Sequence, residues 1–584
     1  MLPITASPER WWAWLLAVLL LTAWPAAAQQ PLRVELEAPD SVRALLQRHL
    51  RILRGDVSVP EAAVDRSAMV RRARREAAGL LATEGYFSPE ISLRRRADEP
   101  WRLTVEPGPR ARISAVSIEF AGALAADGEA HAARREALRA QWGLAVGQPF
   151  RQAAWDGAKA ALLDTLGARD YAAARLLSSR AEVDPQAATV VLSVEVDSGP
   201  PFFLGEVHGS GLSRLPEDLI SRYSTLRIGE RYDRERLLAF QSALQAAPQF
   251  GSVTVSIDPD PALAAAVPVQ VEVSEAQSRQ LGFGGGYSTN TGYRVEFNYR
   301  DVNLRQRAWE LSTGVRLEQR RQSAYADIFL PPEAAGQRYS FGVLAEHTDV
   351  QGLRLGTQAV GGALTRSRGN IETQIALRLQ QERRHPEGGE RSSASTLSAN
   401  WTWVQRAVDD LLDPRRGHVL EFQLGGGTRL ALAGQDFVRL YGRAVRYQPV
   451  GSRDVLVLRG ELGATLAPER KGVPQDFLFR TGGAQSVRGY AYQSLGVSEG
   501  EAVVGGRYLA VASAEYVHWF LPQWGVATFV DAGDANDDRR AFDLKLGYGV
   551  GARWASPAGP LALDLAWGRE TRSLRLHFGI AIAF

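Results

Sequence analysis

The sequence contains no cysteine and only two methionines among its 584 residues. A disulfide framework and a thiolate metal site are thereby excluded. Charge of one sign is lacking as well: 68 basic against 65 acidic residues leave +3, too balanced for a surface that tracks phosphate. Nucleic acid is therefore not an expected partner. The eight histidines are scattered, no His-Glu-x-x-His or Gly-x-Ser-x-Gly stretch occurs, and the glycines of residues 282–287 lack phosphate-cradling spacing. No cofactor, metal site or enzymatic activity is expected. Long apolar runs are missing too, apart from Trp11 to Ala28, which excludes a membrane protein of many helices. With 45% hydrophobic and 23% charged residues and a mean hydropathy of −0.19, the chain reads like an ordinary soluble one. A β-barrel survives this reading, because its strands are about 10 residues of alternating polarity that an average conceals.

Arg10 precedes the apolar run, Pro25 interrupts it, and Ala26-Ala27-Ala28 supplies the small residues that a signal peptidase needs. A secretory signal over residues 1–28 is expected, with an uncleaved membrane anchor as the alternative. The remainder has two grammars. Of 56 glycines 40 lie from Ser278 onward, and so do 12 of 16 tyrosines. Before that point helical patterns alternate with strand-like runs; after it only alternating runs separated by turns appear.

The first part carries a degenerate repeat. Val146-Gly147-Gln148-Pro149-Phe150 and Ile228-Gly229-Glu230-Arg231-Tyr232 each lead into a helical stretch, Ala153 to Leu166 and Arg234 to Ala246; a third helix is expected from Arg66 to Thr83. Paired strand runs follow each helix: Ile91–Leu93 with Leu103–Val105, Leu176–Val183 with Val190–Val196, and Val253–Ile257 with Val269–Val273. Residues 29–277, 249 in all, divide into three α+β modules of about 83, placed at 29–110, 111–199 and 200–277. Such modules serve either as a rigid spacer or as open sheet edges that accept strands from other chains.

Residues 278–584 read as an all-β transmembrane barrel. In the last strand Leu574, Leu576, Phe578, Ile580, Ile582 and Phe584 fall on one face, while Ser573, Arg575, His577 and Gly579 fall on the other. One face suits lipid and the other a polar lumen. Leu458, Leu462 and Leu466 opposite Arg459, Glu461 and Thr465 repeat the pattern. At roughly 19 residues per strand and connection, 307 residues give about 16 strands.

Two stretches resemble a known family. Gly482-Gly483 followed by Val487-Arg488-Gly489-Tyr490 is similar to the lumen-loop signature of the BamA/TamA superfamily of outer-membrane assembly factors and related two-partner secretion transporters. Phe529-x-Asp531-x-Gly533 resembles that family's strand motif, and the chain's end resembles its assembly signal. The resemblance implies that Arg488 pairs with Asp531, that Gly489 permits a tight backbone, and that Tyr490 packs beside it. It implies a motif loop between the eleventh and twelfth of sixteen strands, and five strands are readable between Gly505 and Phe584. The first part then corresponds to POTRA modules in the periplasm. Three modules resemble TamA-type members; five would resemble BamA, and two a secretion transporter.

The expected function is assembly or translocation of unfolded outer-membrane or autotransporter clients at the lipid bilayer, with a TamB-like inner-membrane-anchored protein as partner. A two-partner-type secretion transporter or pore is the alternative. The first barrel strand holds Gly282, Gly284, Gly285 and Gly286, four glycines within a short stretch, and faces the last strand with Gly579 and Phe584. Glycine weakens strands. This marks either a lateral seam able to open or an accommodation of curvature and close packing.

Overall fold

The computed structural model describes residues 33–55, 62–95, 100–333, 336–556 and 559–583. The expected signal segment and Phe584 lie outside the described residues.

Three small sheets come first, and each is built by the same strand–helix–helix–strand–strand order. In the first, Val34–Glu37, helices Asp40–His49 and Ala63–Thr83, and strands Glu90–Arg94 and Trp101–Glu106 place the third strand centrally, parallel to the first and antiparallel to the second. The second runs Arg112–Ala121, Glu129–Ala140, Gln152–Gly167, Arg175–Asp184 and Thr189–Asp197, and the third Leu204–Ser210, Leu219–Tyr223, Arg234–Gln245, Phe250–Ile257 and Val267–Glu275. The helices expected from sequence are the second helix of each module. The opening strand and first helix of every module were not anticipated, because pieces such as Leu204–Ser210 (LGEVHGS) lack a sustained apolar period.

The module cores follow from alternation. Val190, Leu192, Val194 and Val196 form one face of the central strand and are buried against Trp155, Leu162 and Leu166 at helical spacing. Each such side chain contributes roughly 1.5–3 kcal/mol. Leu103 and Val105 meet Val42, Leu46, Ala77 and Leu81 in the same way. The chain divides into two compact units, residues up to 206 with 227–235 and 257–268, and residues 207–226, 236–256 and 269 onward.

Sixteen antiparallel strands follow: β1 (Arg279–Ser288), β2 (Gly292–Leu304), β3 (Trp309–Glu318), β4 (Arg321–Phe329), β5 (Gln337–Val350), β6 (Leu353–Arg368), β7 (Ile371–Pro386) and β8 (Ser392–Val408). The rest are β9 (Gly417–Gly427), β10 (Phe437–Val450), β11 (Asp454–Leu466), β12 (Tyr508–Trp519), β13 (Trp524–Asn536), β14 (Lys545–Ser556), β15 (Gly559–Gly568) and β16 (Ser573–Ala583). Each pairs with its successor, and β16 meets β1. Alternation sorts the faces: Leu458, Leu462, Leu574 and Leu576 are exposed outward, whereas Thr465 and His577 are buried inside. An apolar exterior with a polar interior is stable only with lipid outside.

Candidate functional site

One connection is far longer than the rest, residues 467–507 between β11 and β12. Its tip is the short hairpin Val497–Glu499 with Ala502–Val504. Glu499 meets Arg470 at 2.9 Å and Arg384 of β7 at 2.5 Å. A buried apolar cluster of Phe479, Val487, Tyr490, Leu495, Leu509, Val511 and Ala535 fixes the loop against β12 and β13.

Arg488 is the centre of the docked loop. Its Nε and Nη2 donate to the two carboxylate oxygens of Asp531 at 2.8 and 3.0 Å, and its backbone N–H donates to the same group at 3.1 Å. Nη1 donates to Glu515 at 2.6 Å and to Asp564 at 3.1 Å. Asp531 has no solvent exposure and also accepts from the Ser513 hydroxyl at 2.6 Å. Arg553 bridges Glu515 and Asp564 from β14. The guanidinium also lies over the Phe529 ring, 3.4 Å from its centroid. Two guanidiniums and three carboxylates thus satisfy one another, with Arg488, Asp531 and Asp564 buried. A charge left without its partner there costs about 3–5 kcal/mol.

The neighbouring residues are explained by space. Gly489 has φ +91°, and a Cβ there would lie 2.7 Å from the Gly568 nitrogen. Only glycine fits both requirements without strain. A Cβ on Gly547 would lie 1.8 Å from the Arg488 carbonyl, and one on Gly533 would lie 2.8 Å from Val487. Gly547, Gly549 and Gly551 occupy one face of β14, so that face is a trough beneath the loop. The Tyr490 hydroxyl donates to the Leu546 carbonyl at 3.1 Å and is bonded to Glu570.

All seven motif residues singled out from the sequence therefore converge: Val487, Arg488, Gly489 and Tyr490 on the loop, and Phe529, Asp531 and Gly533 on β13. Sequence reasoning missed Glu515, Arg553, Asp564 and His577. Glu515, Asp564 and His577 each fall on the polar face of an alternating barrel strand, which marks them only as lumen-facing. It also missed the β14 glycines, whose every-second-residue spacing was legible.

The seam residues lie where β1 meets β16. Gly284 pairs with Ala583, Gly285 with Ile582, Gly286 with Ala581, Tyr287 with Ile580 and Ser288 with Gly579. β1 pairs with β2 over all ten of its residues. Among the described residues, Arg279–Gly282 have no partner on the β16 side. Among the described residues, β16 pairs with β15 over Ser573–Phe578 and with β1 over Gly579–Ala583. A Cβ on Gly284 would meet the Glu296 side chain at 2.7 Å, whereas Gly285 has open space.

Fold and site together define a sixteen-stranded outer-membrane barrel with a lumen-docked loop, preceded by small α+β modules. A family model described as the Omp85 superfamily domain matches residues 277–584, and one described as the POTRA "surface antigen variable number repeat" matches residues 122–199. The chain belongs to the Omp85 superfamily, with its barrel in the bacterial outer membrane and its modules in the periplasm. The outer membrane protein assembly factor BamA of Nitratidesulfovibrio vulgaris is 28% identical over 203 residues, which are 32% of this chain and 25% of that protein. The match thus spans about a quarter of that relative's length. A crystal structure of BamA from Haemophilus ducreyi lacking POTRA domains 1–3 is similar over 81% of this chain and 100% of that one. Its TM-score is 0.66 and its sequence identity 17%, a likeness of fold.

Proposed function

We propose that this protein assembles β-rich clients into the outer membrane by offering the free edge of β1 as a template, the barrel opening laterally between β1 and β16. The observation that carries the reading is the stretch Arg279–Gly282, which among the described residues pairs with β2 but not with β16. A backbone N–H or C=O without a partner costs several kcal/mol in hydrocarbon, so such an edge favours capture of an incoming strand. The short register between β1 and β16, five pairs among the described residues, and the glycines on β1 lower the resistance to opening. This is templating, and it uses no reacting group.

On the same reading the edge strands of the modules, such as Val34–Glu37 and Arg175–Asp184, receive unfolded autotransporter-type clients or a TamB-like inner-membrane-anchored partner. The family resemblance supports the partner, and three modules support a TamA-type member. Purified protein in liposomes should accelerate folding of several unrelated outer-membrane barrels, and its depletion should lower all of them. Loss of a single exported polypeptide, with no folding activity in liposomes, would overturn the proposal in favour of a dedicated secretion transporter.

A further inference from the structure

The two strands of the seam are both tied to the same loop. On the β16 side, the buried N–H of Gly489 donates to His577 Nε2 at 2.9 Å, and Tyr490 is bonded to Glu570 in the β15–β16 turn. On the β1 side, the N–H of Ala484 donates to Asn290 Oδ1 at 3.4 Å, in the turn that follows β1. A Cβ on Gly483 would lie 3.1 Å from that same oxygen. Between these anchors the loop is braced internally: Gly482 N–H donates to the Ser486 hydroxyl at 2.9 Å, and Gly483 N–H to the Val487 carbonyl at 3.2 Å.

The strands themselves are clasped at this same level. Thr289 N–H donates to the Phe578 carbonyl at 2.9 Å, and its hydroxyl lies 3.2 Å from both the N–H and the carbonyl oxygen of Phe578. Phe578 follows His577 directly. The seam's end at Ser288 and Gly579 is therefore held three ways, by backbone pairing, by Thr289 and by the loop. At its other end, among the described residues, Arg279–Gly282 of β1 pair with β2 and not with β16.

We infer that residues 484–490 are a strap across the lumen side of the seam, with His577 and Asn290 as its positioning residues. The seam then parts from the Arg279 end of β1 while the strap holds the Ser288 end, and full opening requires the loop to let go. This rests on the lateral seam proposed above. His577 and Asn290 each hold the strap by one hydrogen bond, and removing His577 leaves the buried Gly489 N–H unpaired. Loss of one anchor should therefore raise the open population several-fold without unfolding the barrel.

The absence of native cysteine makes the test direct. Spin labels on Leu317→Cys of β3 and Leu563→Cys of β15, both facing outward, flank the seam at a separation of about four strand spacings, roughly 19 Å. His577→Ala and Asn290→Ala should each increase the longer-distance population at least twofold in lipid, with heat-modifiable mobility confirming a folded barrel. His577→Gln, which keeps an acceptor, should restore the wild-type distribution. Unchanged distances in both alanine variants would overturn the strap. Increased opening with unchanged client folding would uphold the strap and count against the assembly reading.

Discussion

Arg488 sits in a lumen loop with three carboxylates around it, and the pairing decides what substitution does. Arg488→Ala leaves Asp531 without its guanidinium and Glu515 and Asp564 bridged by Arg553, whereas Asp531→Ala leaves Arg488 two of its three acceptors. Arg488→Ala should loosen the docked loop by about 3–5 kcal/mol and Asp531→Ala by somewhat less. Because both remove the same bidentate pair, the double variant should fall short of their sum by at least 1 kcal/mol, measured by protease cleavage of residues 467–507; simple additivity would refute a direct pair. The Arg488–Asp531 pair was legible in the sequence because two short motifs carried it. Glu515 and Asp564 were less legible, since a lone carboxylate on an alternating strand reads only as lumen-facing. Its partner lies 27 or 76 residues from it, and only the closed barrel brings them together.

At the scale of elements, β14 and the loop are complementary by absence of side chains. Gly547→Ala places a methyl within 1.8 Å of the Arg488 carbonyl and should undock the loop, exposing it to protease as strongly as Asp531→Ala does. Gly460→Ala on β11, where a Cβ meets nothing within 4 Å, should leave cleavage unchanged and serves as the matched control. The barrel strands were legible because a period of two persists through them, and the five after the loop fall within a few residues of expectation. The first strand of each module was not. Edge strands such as Val34–Glu37 are short and half exposed, so burial imposes little pattern on them. The free stretch of β1 was likewise illegible. Glycine content announces a weak strand, but the register that leaves Arg279–Gly282 without a β16 partner among the described residues is set by how the whole barrel closes.

At the scale of the molecule, one carboxylate gathers the loop of the third module that meets the barrel. Glu275 accepts from the backbone N–H groups of Ser213, Arg214 and Leu215 at 2.7, 2.7 and 3.0 Å, and from the Arg214 guanidinium at 2.7 Å. Asn303 reaches the Arg214 carbonyl from the β2–β3 turn, and Gln249 reaches that of Ala308. Burial raises the Glu275 pKa, but these donors outweigh it and hold the carboxyl down at about 2, against an ordinary 4.5. A depressed value means that the contribution is complete above pH 4.5 and is lost as pH falls toward 2. The Tm of wild type should therefore exceed that of Glu275→Gln at pH 7, and the two should converge between pH 4.5 and 2; a constant gap would refute the clamp. The central claim is that the barrel works by parting at one seam. Gly285→Cys with Ile582→Cys joins register partners of β1 and β16, and a Cβ at residue 285 has room. The oxidised variant in liposomes should lose client folding and regain it on reduction. Undiminished folding of clients by the fully cross-linked protein would contradict the account.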